Sequence, residues 1–135
     1  MNEDVVVEAR TWIGVRWRHQ GRDRDGLDCV GLPIVCALKL RGLKIPTNDY
    51  PRASTDNQMI EICRQYLEPV ADMQPGDVVV LGFGRQRHMA IIGDYPSGGL
   101  SLIHAYLPNR KVVEQRLDDV WAGRILAAFR IPRAG

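Results

Sequence analysis

The chain has 135 residues and a net charge of +2, from 18 basic and 16 acidic side chains mixed along its length. A chain of this size forms one domain, 1–135, able to bury about two-thirds of its unfolded surface. The balanced charge has no basic block to bind nucleic acid, no apolar run approaches the length of a bilayer span, and three irregularly spaced cysteines suit a reducing compartment better than a disulfide framework.

In chain order, the polar start Met1-Asn2-Glu3-Asp4 leads into an amphipathic helix over Asp4–Trp12, which lacks the character of a secretory signal. A charged loop follows, with Arg16, Arg18, Arg22, Asp23, Arg24 and Asp25, where His19 reads as a solvated loop histidine. The segment Gly26-Leu27-Asp28-Cys29-Val30-Gly31-Leu32 then sets a cysteine at the mouth of an apolar helix, Cys29–Arg41. Asp28 can cap that helix, Pro33 is tolerated only in its first turn, and Lys39, Arg41 and Gly42 close it. Cys29, Leu32, Cys36, Ala37 and Leu40 form one apolar stripe and Val30, Ile34 and Leu38 a second, which predicts burial nearly all round. An irregular stretch with prolines, Lys44–Thr55, precedes a helix over Asp56–Leu67 that carries Cys63.

The second half reads as strands. Gly76–Leu81 enters from a turn at Pro75, His88–Gly93 is next, Asp94–Gly99 turns, and Leu100–Tyr106 runs back. Lys111–Glu114 is a short strand, Leu117–Ala122 a helical turn, and Ile125–Ile131 a last strand. Helices first and a largely antiparallel sheet afterwards define an α+β domain, with the cysteine helix packed on the strands that bear the histidines.

Chemistry concentrates at Cys29. Partial positive charge at a helix N-terminus stabilises a thiolate and lowers a cysteine pKa below its reference of about 8.5. By residue type alone a buried cysteine is a small core hydrophobe, and Cys36 and Cys63 fit that description. Cys29 differs by its place at a helix entrance and by the histidines available to it. A hairpin turn centred on Pro96 sets His88 directly opposite His104 on one sheet face, with Cβ atoms about 4.5–5.5 Å apart. A turn shifted by one residue would separate them. The pair suits a base and its orienting group; the alternative is two strand histidines satisfied by backbone carbonyls. Arg85 and Arg87 flank His88 and either favour its neutral form, meet an acidic substrate, or are solvated loop charges. The cysteines and histidines show no metal-ligand spacing, and no cofactor is implied.

The segments Ala9-Arg10-Thr11-Trp12-Ile13-Gly14, Asp28-Cys29-Val30-Gly31-Leu32, Gln74-Pro75-Gly76-Asp77-Val78, His88 at the start of a strand, and Ile103-His104-Ala105 resemble, in that order, the NlpC/P60 family of cysteine peptidases. Arg18-His19-Gln20-Gly21-Arg22 is similar to the small members encoded among phage and prophage tail genes. The resemblance implies a papain-like site on a rearranged α+β scaffold and hydrolysis of an amide in the peptide stems of peptidoglycan. Carried over by position, Cys29 is the nucleophile, His88 the general base and later acid, and His104 the orienting group, with a Cys29–His88 ion pair as the reactive state. Trp17, Asp28 and Arg87 are the substrate-facing candidates. Many family members carry tyrosine at the place of Trp17 and serine at the place of Val30; Trp17 can donate but not accept a hydrogen bond and reads equally as a packing residue. The expected partners are a peptidoglycan peptide and phage tail-tip proteins. Without a signal, synthesis in the bacterial cytoplasm and delivery inside a tail are the expected route. Two alternatives stand beside this: a non-catalytic tail assembly protein that keeps the fold, and an acyltransferase or amidase working on another amide.

Overall fold

The computed structural model describes residues 2–46 and 58–133. Helix α1 (Glu3–Arg10) is followed by a small hairpin, β1 (Arg22–Asp23) and β2 (Gly26–Leu27), then by α2 (Gly31–Arg41) and α3 (Gln58–Tyr66). Strands β3 (Glu68–Pro69), β4 (Val78–Phe83), β5 (Gln86–Asp94), β6 (Leu100–Tyr106), β7 (Lys111–Arg116) and β8 (Ile125–Arg130) form one sheet in the order β3-β8-β4-β5-β6-β7, antiparallel at every pairing. A 3₁₀ turn at Leu107–Asn109 and a short helix α4 (Asp119–Ala122) complete the α+β domain. None of the described helices is long and apolar enough to cross a membrane.

Alternation along the strands divides the core into two layers. Val78, Val80, Met89, Ile91, Ile103, Ala105 and Phe129 face the helices and meet Val5, Ala9, Leu32 and Cys36. Val79, Leu81, Ala90, Ile92 and Leu102 face the other way, against Phe83, Leu117 and Trp121. Both sheet faces are therefore covered, and a polar side chain on either one is drawn out of water.

The predicted elements are present, with informative shifts. α2 begins at Gly31 instead of Cys29, so the cysteine lies in the turn that enters the helix. The helix is not buried all round: its second stripe runs outward from buried Val30 through half-buried Ile34 to Leu38, which is 45 % exposed. α2 packs on α1, β1 and β5, and these neighbours leave one flank of the helix uncovered. Gly42 ends it in the left-handed conformation, φ 63°, as its glycine suggested. Most of the irregular stretch Lys44–Thr55 and the first residues of the helix begun at Asp56 lie outside the described residues.

The turn Gln74-Pro75-Gly76-Asp77 owes its composition to close packing. Gly76 has φ +94°, and a Cβ there would stand 2.3 Å from the Asn2 carbonyl oxygen. The fully buried Asp77 carboxylate accepts from the Gln74 N–H at 2.8 Å and from two Arg130 nitrogens at 2.8 and 2.9 Å, which ties the entry of β4 to β8.

The entry of α2 is equally tight. A Cβ on Gly31 would lie 2.5 Å from the backbone oxygen of Gly21, an atom that cannot step aside. Gly31→Ala is expected to destabilise the fold by about 1–3 kcal/mol, the usual cost of overpacking; urea unfolding of the variant checks this, and an unchanged midpoint would remove the close approach.

Candidate functional site

Cys29 is held by the residue before it. The Asp28 carboxylate, only 2 % exposed, accepts from the Gly31 N–H at 2.8 Å, the Gln20 N–H at 2.8 Å and the Arg22 guanidinium at 3.1 Å. An aspartate bonded to the N–H three residues ahead is a helix N-cap in its bonding, whatever the formal boundary. Cys29 thereby occupies the first turn in a single orientation. Its sulfur faces the backbone N–H groups of Met89, Cys29 and Val30. The Met89 backbone is available because the β5–β6 ladder runs only from Ile91↔Ile103 to Asp94↔Leu100, and Met89 lies past its end.

Those three donors favour a thiolate, yet burial dominates and pushes the Cys29 thiol up to about 12, with the Asp28 charge adding to the rise. The residue as a whole keeps some exposure while its sulfur is enclosed. The expected low thiol pKa is thus corrected for the ligand-free site. A helix terminus supplies a partial charge, and removing a full charge from water costs more.

His88 and His104 meet in the layer away from the helices. His88 Nε2 and His104 Nδ1 are 2.7 Å apart, and His104 Nε2 lies 2.8 Å from the side-chain oxygen of Gln115. The pair forms by a register other than the expected one. Ile91 lies opposite Ile103 instead of Ser101, because Gly98 and Gly99, both at positive φ, lengthen the turn and move its centre to Ser97. The displacement is an even number of residues, so both imidazoles stay on one face as diagonal neighbours, within reach of ring side chains.

Rings enclose the pair. Tyr106 stacks on His104 with centroids 5.0 Å apart, Trp121 meets His104 edge-on at 5.5 Å, and Phe83 meets His88 edge-on at 6.0 Å. His104 is fully buried and His88 is 9 % exposed. Burial lowers both imidazoles, His88 to about 3, with the neighbouring His104 adding to the effect, and His104 to about 4 against the opposing Gln115 hydrogen bond. Both rings are neutral near pH 7. Burial thus disfavours both charged partners of the expected Cys29–His88 ion pair. Among the described residues no hydrogen bond joins the Cys29 sulfur to a His88 nitrogen; the link between them is the Met89 backbone, one residue beyond His88.

The other sequence candidates have contacts of their own. Asp28 is turned inward as the cap. Trp17 is half-buried, bridges Leu27 through its backbone and stacks on His19 at 6.4 Å, which gives that histidine a ring partner in place of simple solvation. Arg87 bonds the carbonyls of Gly84 and Gln86 in the β4–β5 turn. An apolar cavity of about 130 Å³ between α2, α3 and the sheet touches this corner through Val30 and Met89; among the described residues its titratable lining group is the Cys63 thiol, which burial pushes up to about 12. No described group of three or more histidine, cysteine or acidic residues could hold a metal ion. Sequence reasoning missed Phe83, Tyr106, Trp121 and Gln115. Gln115 lies one residue beyond the predicted end of its strand, and extending the alternation of β7 would have placed it on the histidine face.

A cysteine capped into a helix entrance, set against the strand that carries one member of a buried histidine pair, is a layout suited to thiol chemistry. The sequence model of the NlpC/P60 family matches residues 14–130, and the chain belongs to that family. It is 26% identical over 125 residues to the probable endopeptidase NlpC of Escherichia coli K12, covering 92% of this chain and 74% of that protein. It is similar to the NlpC/P60 domain of the peptidoglycan hydrolase SagA, with 26% identity, a TM-score of 0.62, and 93% and 94% of the two chains covered. An NlpC/P60 family protein from Bacillus cereus shares the fold at 20% identity and a TM-score of 0.69, with 96% of this chain matching 40% of that one.

Neutral burial of the two imidazoles has a stability consequence. In the unfolded chain a histidine titrates near 6.5, and both folded values lie below that. The stabilisation is complete above about pH 6.5 and is lost as pH falls through that value toward the folded pKa values, because the unfolded state then binds more protons. Urea midpoints measured from pH 8 to 4 are expected to fall more steeply for the wild type than for a His88→Gln/His104→Gln double variant; equal slopes would contradict the burial.

Proposed function

We propose that this chain is a cysteine peptidase that hydrolyses an amide bond in the peptide stems of bacterial peptidoglycan, with Cys29 as nucleophile, His88 as base and His104 as its orienting group. The observation that carries this reading is the Cys29 sulfur set against the Met89 N–H, immediately after a His88 whose Nε2 is occupied by His104. The names of the similar proteins, an endopeptidase and a peptidoglycan hydrolase, supply the substrate class.

The chemistry follows from what remains available. With Nε2 engaged, His88 Nδ1 is the ring atom that takes the thiol proton. Burial opposes both charged forms, so proton transfer accompanies sulfur attack on the carbonyl and does not precede it. Backbone N–H groups near the sulfur receive the oxyanion as it develops. The His88 imidazolium then protonates the leaving amine, and water, deprotonated by His88, hydrolyses the thioester. Trp17 and Arg87 are the substrate-facing groups of this reading, and Asp28 acts through the cap. Delivery as a phage or prophage tail component, after synthesis in the cytoplasm, is part of the proposal and is supported by the Arg18-His19-Gln20-Gly21-Arg22 loop.

Purified protein is expected to release stem-peptide fragments from peptidoglycan, as read by liquid chromatography and mass spectrometry. Cys29→Ala and His88→Ala are each expected to lose at least about 10³-fold in rate. Digestion by Cys29→Ala at the wild-type rate would overturn the assignment.

A further inference from the structure

We infer that Gln115 is a positioning residue whose side-chain carbonyl fixes the tautomers of both histidines and so leaves His88 Nδ1 as the nitrogen able to accept the thiol proton. The inference rests on the roles proposed above for Cys29 and His88. Its argument is one of hydrogen-bond polarity. An amide oxygen can only accept, so the His104 Nε2 that lies 2.8 Å from the Gln115 oxygen must carry the proton. A neutral imidazole has one N–H, which leaves His104 Nδ1 as an acceptor. The His88 Nε2 that stands 2.7 Å from it must then donate. His88 is neutral too, and its remaining nitrogen, Nδ1, is left unprotonated. Were the amide reversed, so that its NH₂ met His104, each proton would move to the other nitrogen and His88 Nδ1 would carry a hydrogen, unable to accept one from a thiol.

Gln115 is half-buried on β7 opposite Leu102, diagonal to His104 and on the same face, and the rings of Tyr106 and Trp121 hold His104 from two other sides. The effect of Gln115 passes through the His104 ring to the His88 ring.

The test reads tautomers directly, by long-range ¹H–¹⁵N correlation of the histidine rings in the full-length protein at pH 7, alongside kcat and KM on peptidoglycan fragments. The wild type is expected to show the Nε2–H form at both His88 and His104. Gln115→Met, similar in length but without the amide acceptor, is expected to mix the tautomers and lower kcat on the order of 10²-fold with KM little changed. Gln115→Glu, which still accepts, is expected to keep both tautomers and rescue most of kcat, with the acid limb of the pH profile moved upward as the carboxylate favours a protonated His104. An Nδ1–H tautomer at His88 in the wild type, or unchanged tautomers in Gln115→Met, would overturn the role. Because the spectra need no substrate, failure of this role is distinguishable from failure of the peptidase reading, which would show as absent cleavage with the expected tautomers intact.

Discussion

The 2.7 Å hydrogen bond between His88 and His104 requires at least one ring to stay neutral, since two imidazolium ions offer each other donors only. Neutrality is enforced by Phe83, Tyr106 and Trp121, whose rings keep water from the pair. The cost of drying two polar rings is limited because each has a partner, His88 through His104 and His104 through Gln115. The remainder of the molecule serves this arrangement. The sheet supplies three adjacent strands in register, and the segment that follows β7 lays Trp121 over them.

A second constraint brings the thiol to the pair. Asp28, neutralised by Arg22 and bonded to the Gly31 N–H, holds the first turn of α2, while the absence of side chains at Gly21 and Gly31 lets the β1–β2 hairpin approach that turn. Where the β5–β6 ladder ends, the Met89 N–H is released toward the sulfur. One backbone group thus links the helix layer, which carries Cys29, to the strand that carries His88. Burial at this junction opposes isolated charge on either partner.

Much of this was legible in the residues. Each long element carried its own period and punctuation, so β6 was predicted at its observed bounds and α2 ended at its glycine. Strands of two residues have no period to read, and β1, β2 and β3 were missed for that reason. The hairpin register was displaced by the two glycines of its turn, yet the histidine pairing survived because face depends only on odd or even offset. The cap at Asp28 followed from local chemistry. The pKa of Cys29 did not, because desolvation is a property of the surroundings assembled by distant segments, and a helix terminus seen alone suggests the opposite sign. Gln115 was hidden by one residue of strand length.

The family to which the chain belongs accounts for the order of its motifs, and the geometry accounts for why each motif has its composition. The central claim is that Cys29 forms the covalent bond to substrate. Its most direct test is the intact mass of enzyme acid-quenched during turnover of a peptidoglycan stem peptide, followed by peptide mapping. The account predicts a thioester adduct of the acyl fragment located at Cys29. An adduct on another residue, or turnover with no adduct and undiminished in Cys29→Ala, would contradict it.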